Sequence, residues 1–163
     1  MCKSIKILCL SIIITCISIV TCFASPFPRY DIAIGGIGIG TSMDYVKQVY
    51  GEPSSISYGY EYPYGDTVTY NYNDLLEITG AIRTGDVYAI SCKEKGLSTP
   101  GGIAVGMKYG IVKKIYGIGR RLDLNSYFKD DGYKHYEYNY GPRNIVFVVN
   151  DGIIRKINIY SGI

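Results

Sequence analysis

The feature that most constrains this chain is a set of short segments that recur in order. Gly35-Gly36-Ile37 returns as Gly101-Gly102-Ile103, Gly40 as Gly106, Val46-Lys47 as Val112-Lys113, and Tyr50-Gly51 as Tyr116-Gly117. All share one offset of about sixty-six residues, and self-similarity at a fixed interval is the mark of a repeated unit. Downstream, Tyr70-Asn71-Tyr72 matches Tyr138-Asn139-Tyr140, and Gly85 before Ile90 matches Gly152 before Ile157. The offset drifts there by a residue or two, as small loop changes produce. The mature chain therefore reads as two repeats, 35–98 and 101–161.

Each repeat opens on a helix signal. Thr41 is placed as an N-cap, with Asp44 three residues on able to reach back to it. Tyr45, Val46, Val49 and Tyr50 fall on one helical face, Gly51 supplies a left-handed stop, and Pro53 bars resumption. In the second copy Ile111, Val112, Ile115 and Tyr116 make the equivalent face and Gly117 the stop, while Gly110 lies inside the helix. An interior glycine weakens a helix by about 1 kcal/mol relative to alanine, so the second helix is expected to be the frailer.

Strand signals follow. Residues 57–62 and 67–72 alternate strictly around a Tyr-Gly-Asp turn, and 75–83 and 87–92 flank Thr84-Gly85-Asp86. The second repeat offers 133–140, 144–149 and 153–160, with a weaker candidate at 120–127. Asn150-Asp151-Gly152 is a hairpin signal because Asp-Gly accepts the positive φ of a tight turn. The expected fold class is α+β: two tandem repeats, each a short helix followed by antiparallel strands, together forming one sheet with helices on one face.

The opening of each repeat resembles the SmpA/OmlA (BamE-like) family of small outer-membrane assembly lipoproteins, a unit that also occurs in tandem in the β-lactamase inhibitory protein. The pattern is Gly40-Thr41-Ser42-Met43-Asp44-Tyr45-Val46, then Tyr50-Gly51-Glu52-Pro53; the second copy runs Gly106-Met107 to Val112, then Tyr116-Gly117. That copy departs from the pattern with Ile118-Gly119 where the proline belongs and with Gly110 at a polar position. The resemblance implies a protein that binds other proteins, often through the open face of the sheet. It transfers no partner, because the motif is structural.

The N-terminus reads as a secretory leader over 1–24: Lys3 and Lys6, an apolar run from Ile5 to Val20, then Cys22-Phe23-Ala24. A lipoprotein anchored through Cys22 is the less favoured reading, because Thr21 precedes that cysteine. The segment 25–34, with Pro26 and Pro28, is expected to be a tether. The expected location is periplasmic, secreted or associated with the cell envelope. Four of the five cysteines lie in the leader, which leaves Cys92 with no partner for an internal disulfide. Removing Lys3 and Lys6 takes the net charge from +3 to about +1, too little to serve as a nucleic-acid footprint.

Tyrosine is abundant, 18 in the chain beside no tryptophan. It buries a large area with few rotamers and keeps a polar tip, which suits recognition surfaces. Tyr58, Tyr60, Tyr62 and Tyr64 share the parity of one strand face and border a turn, so they are the expected contact residues. Tyr70, Tyr72, Tyr138 and Tyr140 are expected under the helices, with Ser57, Gly59, Glu61, Thr67, Thr69 and Asn71 solvated on the other face. Cys92 has strand parity with Ile90 and is expected to be buried. His135, the single histidine, is expected to be solvated, and one histidine builds no multi-histidine metal site. Gly35, Gly36, Gly38 and Gly40 do not make a dinucleotide fingerprint, since no βαβ unit follows. Asp130-Asp131 reads as a loop pair. Lys113-Lys114 and Arg120-Arg121 form a small basic cluster at a helix end, open to an acidic partner or to peripheral membrane contact.

No catalytic constellation and no cofactor motif emerge. The function expected is that of an exported, non-enzymatic protein-binding module, inhibitor-like or envelope-assembly-like, whose partner is an extracytoplasmic protein. The alternative is a cell-wall or carbohydrate binder that stacks tyrosines on sugar rings. A hydrolase would require Cys92 to be exposed and close to His135.

Overall fold

The structure, a computed structural model, describes residues 32–122 and 133–162. The leader, most of the expected tether and the Asp130-Asp131 pair lie outside these residues. A two-residue hairpin, β1 (Ala33–Ile34) and β2 (Ile37–Gly38), precedes α1 (Met43–Tyr50). Then come β3 (Ser55–Glu61), β4 (Gly65–Tyr72), β5 (Leu76–Ala81) and β6 (Val87–Cys92). After α2 (Tyr109–Tyr116) follow β7 (Arg120–Leu122), β8 (Lys134–Tyr140), β9 (Arg143–Asn150) and β10 (Ile153–Ser161).

The expected fold class is corrected. The described residues are mainly β: one eight-stranded antiparallel sheet in the order β3-β4-β5-β6-β10-β9-β8-β7, beside the two-stranded β1–β2. The two helices have eight residues each, about 12 Å of helix apiece. Each buries only two of its own side chains fully, Met43 and Val46 in α1, Tyr109 and Val112 in α2. Helices so short cannot organise separate helix-plus-strand units. The core belongs to the continuous sheet, and the chain does not divide into tandem α+β repeats. The ladder crosses the expected boundary at β6–β10, where Ile90 faces Ile159 and Cys92 faces Ile157. The recurring sequence segments mark recurring turns and helix starts.

One sheet face carries the core: Leu76, Ile78, Ile90, Cys92, Ile157, Ile159, Ile145 and Phe147 run across it in register. Over that face pack α1, α2, the β1–β2 hairpin and the loop bearing Ile103 and Val105. Ile32 and Ile34 are fully buried here, so the stretch expected to end a tether is built into the core. α1 sits close to the sheet because Gly80 lies beneath it; a Cβ there would fall 2.6 Å from Met43 Cγ.

The helix faces differ from expectation. Val46 and half-buried Tyr50 pack inward with Met43, whereas Tyr45 and Val49 are exposed. In α2 the inward row is Tyr109, Val112 and Tyr116, and Ile111 and Ile115 are exposed. The N-cap of α1 is Ser42, whose hydroxyl accepts from the Tyr45 N–H at 3.2 Å. Thr41 instead accepts from the Gly38 N–H at 3.1 Å. α2 has no side-chain cap. Both helices end at glycines of positive φ, Gly51 at 77° and Gly117 at 80°.

Candidate functional site

The strand pairing sorts the tyrosines. β3 is the outermost strand on one side of the sheet, and all seven of its residues are exposed. Ile56, Tyr58 and Tyr60 pair with Tyr70, Val68 and Asp66 of β4, which puts them on the helix-bearing side but beyond the reach of α1. Tyr58, Tyr60 and Tyr62 are 75%, 74% and 78% exposed. Burial under the helices therefore does not account for these three. The row of four is corrected at both its upper members: β3 ends at Glu61, Tyr62 lies in the turn, and Tyr64 has crossed to the opposite face. There Tyr64 stacks on Tyr88, ring centroids 3.9 Å apart, and donates to the Ser161 carbonyl at 3.0 Å. It acts as a strut that ties the hairpin to β10. Beside the turn is a cleft of about 540 Å³ lined by Tyr60, Pro63, Tyr64 and Arg83 among others.

Tyr50, Tyr72, Tyr109 and Tyr138 pack against the core, and their hydroxyls find partners. Tyr50 donates to the Gly35 carbonyl at 2.7 Å and Tyr72 to the Gly51 carbonyl at 3.1 Å. Tyr138 donates to the Gly117 carbonyl at 3.0 Å, which leaves Tyr109 as the donor in their 3.1 Å contact. Burial pushes the Tyr109 and Tyr138 phenols upward.

The face away from the helices is less solvated than expected. Thr67 is buried, and Thr69 and Asn71 are half-buried. Two acid–tyrosine pairs, not singled out from the sequence, lie there. Tyr88 donates to Glu61 at 2.7 Å and Tyr160 to Glu137 at 2.6 Å. Glu137 is buried and also receives the Arg120 guanidinium, through Nε at 3.0 Å and through Nη2. Burial alone would raise the Glu137 carboxyl, but the Tyr160 hydroxyl and Arg120 outweigh it and hold it below its ordinary value. Burial and the carboxylate partner push Tyr160 and Tyr88 upward. Between the two pairs is a shallow groove of about 230 Å³ lined by Glu77, Thr79, Ala89 and Asn158 among others. The available signal was strand parity, since Glu137 shares the polar side of β8 with His135 and Asn139. Nothing in parity says that β10 brings Tyr160 beside it.

Cys92 is buried, with its thiol 3.6 Å from the Glu94 carbonyl, and burial raises its pKa. His135 is half-buried, not solvated. It pairs in register with Val148, on the face opposite Cys92, and β10 and β9 separate the two strands. A Cys92–His135 pair is therefore not assembled. Lys113 Nζ lies 5.4 Å from the Tyr109 ring centroid. Among the described residues no group of three or more His, Cys, Asp or Glu gathers where it could hold a metal ion. No described helix is long and apolar enough to cross a membrane.

No family model matches this chain, and no curated protein matches it. Solved structures do. An extracellular protein containing an SCP domain from Bacillus anthracis str. Ames is similar with a TM-score of 0.55 at 13% identity, over 76% of this chain and 44% of that one. A cysteine-rich secretory protein from Staphylococcus aureus subsp. aureus Mu50 is similar with a TM-score of 0.53 at 8% identity, over the same shares. A DUF4309 family protein from Bacillus subtilis subsp. subtilis str. 168 aligns with a TM-score of 0.44 at 16% identity, over 78% of this chain and 83% of that one. The chain spans under half the length of the first two proteins, and the likeness to them is one of fold. Both are described as extracellular or secretory proteins.

Proposed function

We propose that this chain is an exported, non-enzymatic protein-binding module that presents Tyr58, Tyr60 and Tyr62 on the β3–β4 hairpin to an extracytoplasmic partner. One observation carries the reading: three phenols about three-quarters exposed stand on a hairpin whose strands pair without a break from Ser55↔Asn71 to Glu61↔Gly65. Such side chains add little to the core. On a rigid ladder they need little ordering to bind, the condition under which aromatic anchors contribute most. Inhibition of an exported enzyme and assistance in envelope assembly both use such a surface.

The test is affinity capture from envelope and culture medium with the exported chain and with a Tyr58→Ser/Tyr60→Ser/Tyr62→Ser variant, each first shown to be folded by thermal unfolding. A protein enriched by the native chain, and bound at least about thirtyfold more weakly by the variant once purified, is the expected outcome. Equal capture by both forms would remove the hairpin as the contact surface. Retention on peptidoglycan alone would replace the protein-binding reading with the carbohydrate one.

A further inference from the structure

We infer that the partner which best fits the β3 edge is a second copy of this chain, with the two β3 strands running antiparallel about Tyr58 and fusing the two sheets. The inference rests on reading the hairpin as a contact surface, and it names an occupant for it. An outermost strand offers a row of unpaired backbone groups, and an extended strand is what satisfies them. Soluble proteins guard such edges with lysine, proline, bulges or very short strands. The other edge carries charge: Arg120 and Arg121 of β7 are both exposed. β3 has seven residues with no lysine, no proline and unbroken register to β4. Every one of them is exposed, and among the described residues no other element shields the edge.

The sequence of β3 is complementary to itself. In an antiparallel pair, the register that uses all seven residues sets Tyr58 opposite its own copy. Ile56 then faces Tyr60, Ser57 faces Gly59, and Ser55 faces Glu61. Tyr and Ile side chains meet on one face, and serine meets glycine or the terminal Glu61 on the other. No like charges are opposed, because Glu61, the single charge in β3, lies at the strand end. Directly opposed aromatic and β-branched pairs are favourable cross-strand neighbours. Four tyrosines and two isoleucines, at roughly 150–250 Å² per aromatic ring, bring the contact near the ~1,000 Å² that a specific interface needs.

The test uses the mature chain that begins at Ser25, in which Cys92, which is buried, is the sole native thiol. Sedimentation should show a concentration-dependent dimer, and Tyr58→Lys, which opposes two charges on the axis, should weaken it at least tenfold. Under mild oxidant Tyr58→Cys should cross-link to a covalent dimer far faster than Asn73→Cys, an exposed turn position. A monomer at every soluble concentration would overturn the inference. So would a dimer indifferent to Tyr58→Lys, or cross-linking no faster than the turn control. If self-association fails while tyrosine-dependent capture of a foreign protein succeeds, the pairing falls and the binding-module reading stands. Dimerisation without foreign capture gives the reverse.

Discussion

Glu137 shows how much of this molecule depends on individual polar contacts. Its carboxylate is buried, yet Tyr160 and Arg120 hold it ionised. Its pKa is depressed on folding, so the stability it contributes is present above the ordinary glutamate value and is lost as pH falls through the folded value. Glu137→Gln should therefore cost about 1–3 kcal/mol in urea unfolding at neutral pH, from a weakened, buried acceptor beside the half-buried Tyr160 hydroxyl. The gap between native and variant should close on acidification below about pH 4. A gap that stays constant with pH would mean that packing, not charge, holds Glu137. The same accounting applies to the tyrosines. A core with so many phenols is workable because hydroxyls such as those of Tyr50, Tyr72 and Tyr138 reach backbone carbonyls. Residue type foretold that need; the identity of each acceptor was not legible, since Gly35 and Gly117 lie far along the chain from the tyrosines they serve.

The elements were largely readable because local rules govern them. The turns at Gly85 and at Asp151-Gly152 form with positive φ, at 73°, and at 51° and 73°, as their sequences require. Strand alternation located β3 through β6 and β8 through β10 to within two or three residues at the ends. Helix faces were misread at Tyr45, Val49, Ile111 and Ile115. Apolar periodicity says that a helix is amphipathic, but a helix of two turns touches the sheet along a line too narrow for four such residues. α2 lacks a side-chain cap and carries Gly110, where an added Cβ meets nothing within 4 Å. Gly110→Ala should accordingly stabilise the protein by about 1 kcal/mol, read as a rise in the denaturant midpoint at unchanged slope. No change would show that the unfolded chain gains as much from the substitution as the helix does.

At the scale of the whole molecule, β6 and β10 lie at the middle of the eight-stranded ladder, and Cys92 sits there under the helices. Its thiol should label only when the sheet opens. In the mature chain that begins at Ser25, modification by a neutral aromatic disulfide should be at least about a thousandfold slower than in denaturant. Labelling at the unfolded rate would mean that the centre of the sheet opens readily. The sequence by itself determined the turns, the helix ends at Gly51 and Gly117, the run of strands and the buried parity of Cys92, because these depend on φ preferences and on side-chain periods spanning a few residues. Tertiary structure alone decided that the strands form one continuous, mainly-β sheet in place of two α+β repeats. It also decided that Tyr64 departs from its row and that Glu137 meets Tyr160. It left Tyr58, Tyr60 and Tyr62 uncovered because strand order placed β3 at the edge. Strand order and sheet faces follow from which apolar surfaces meet at long range, and no local pattern encodes that.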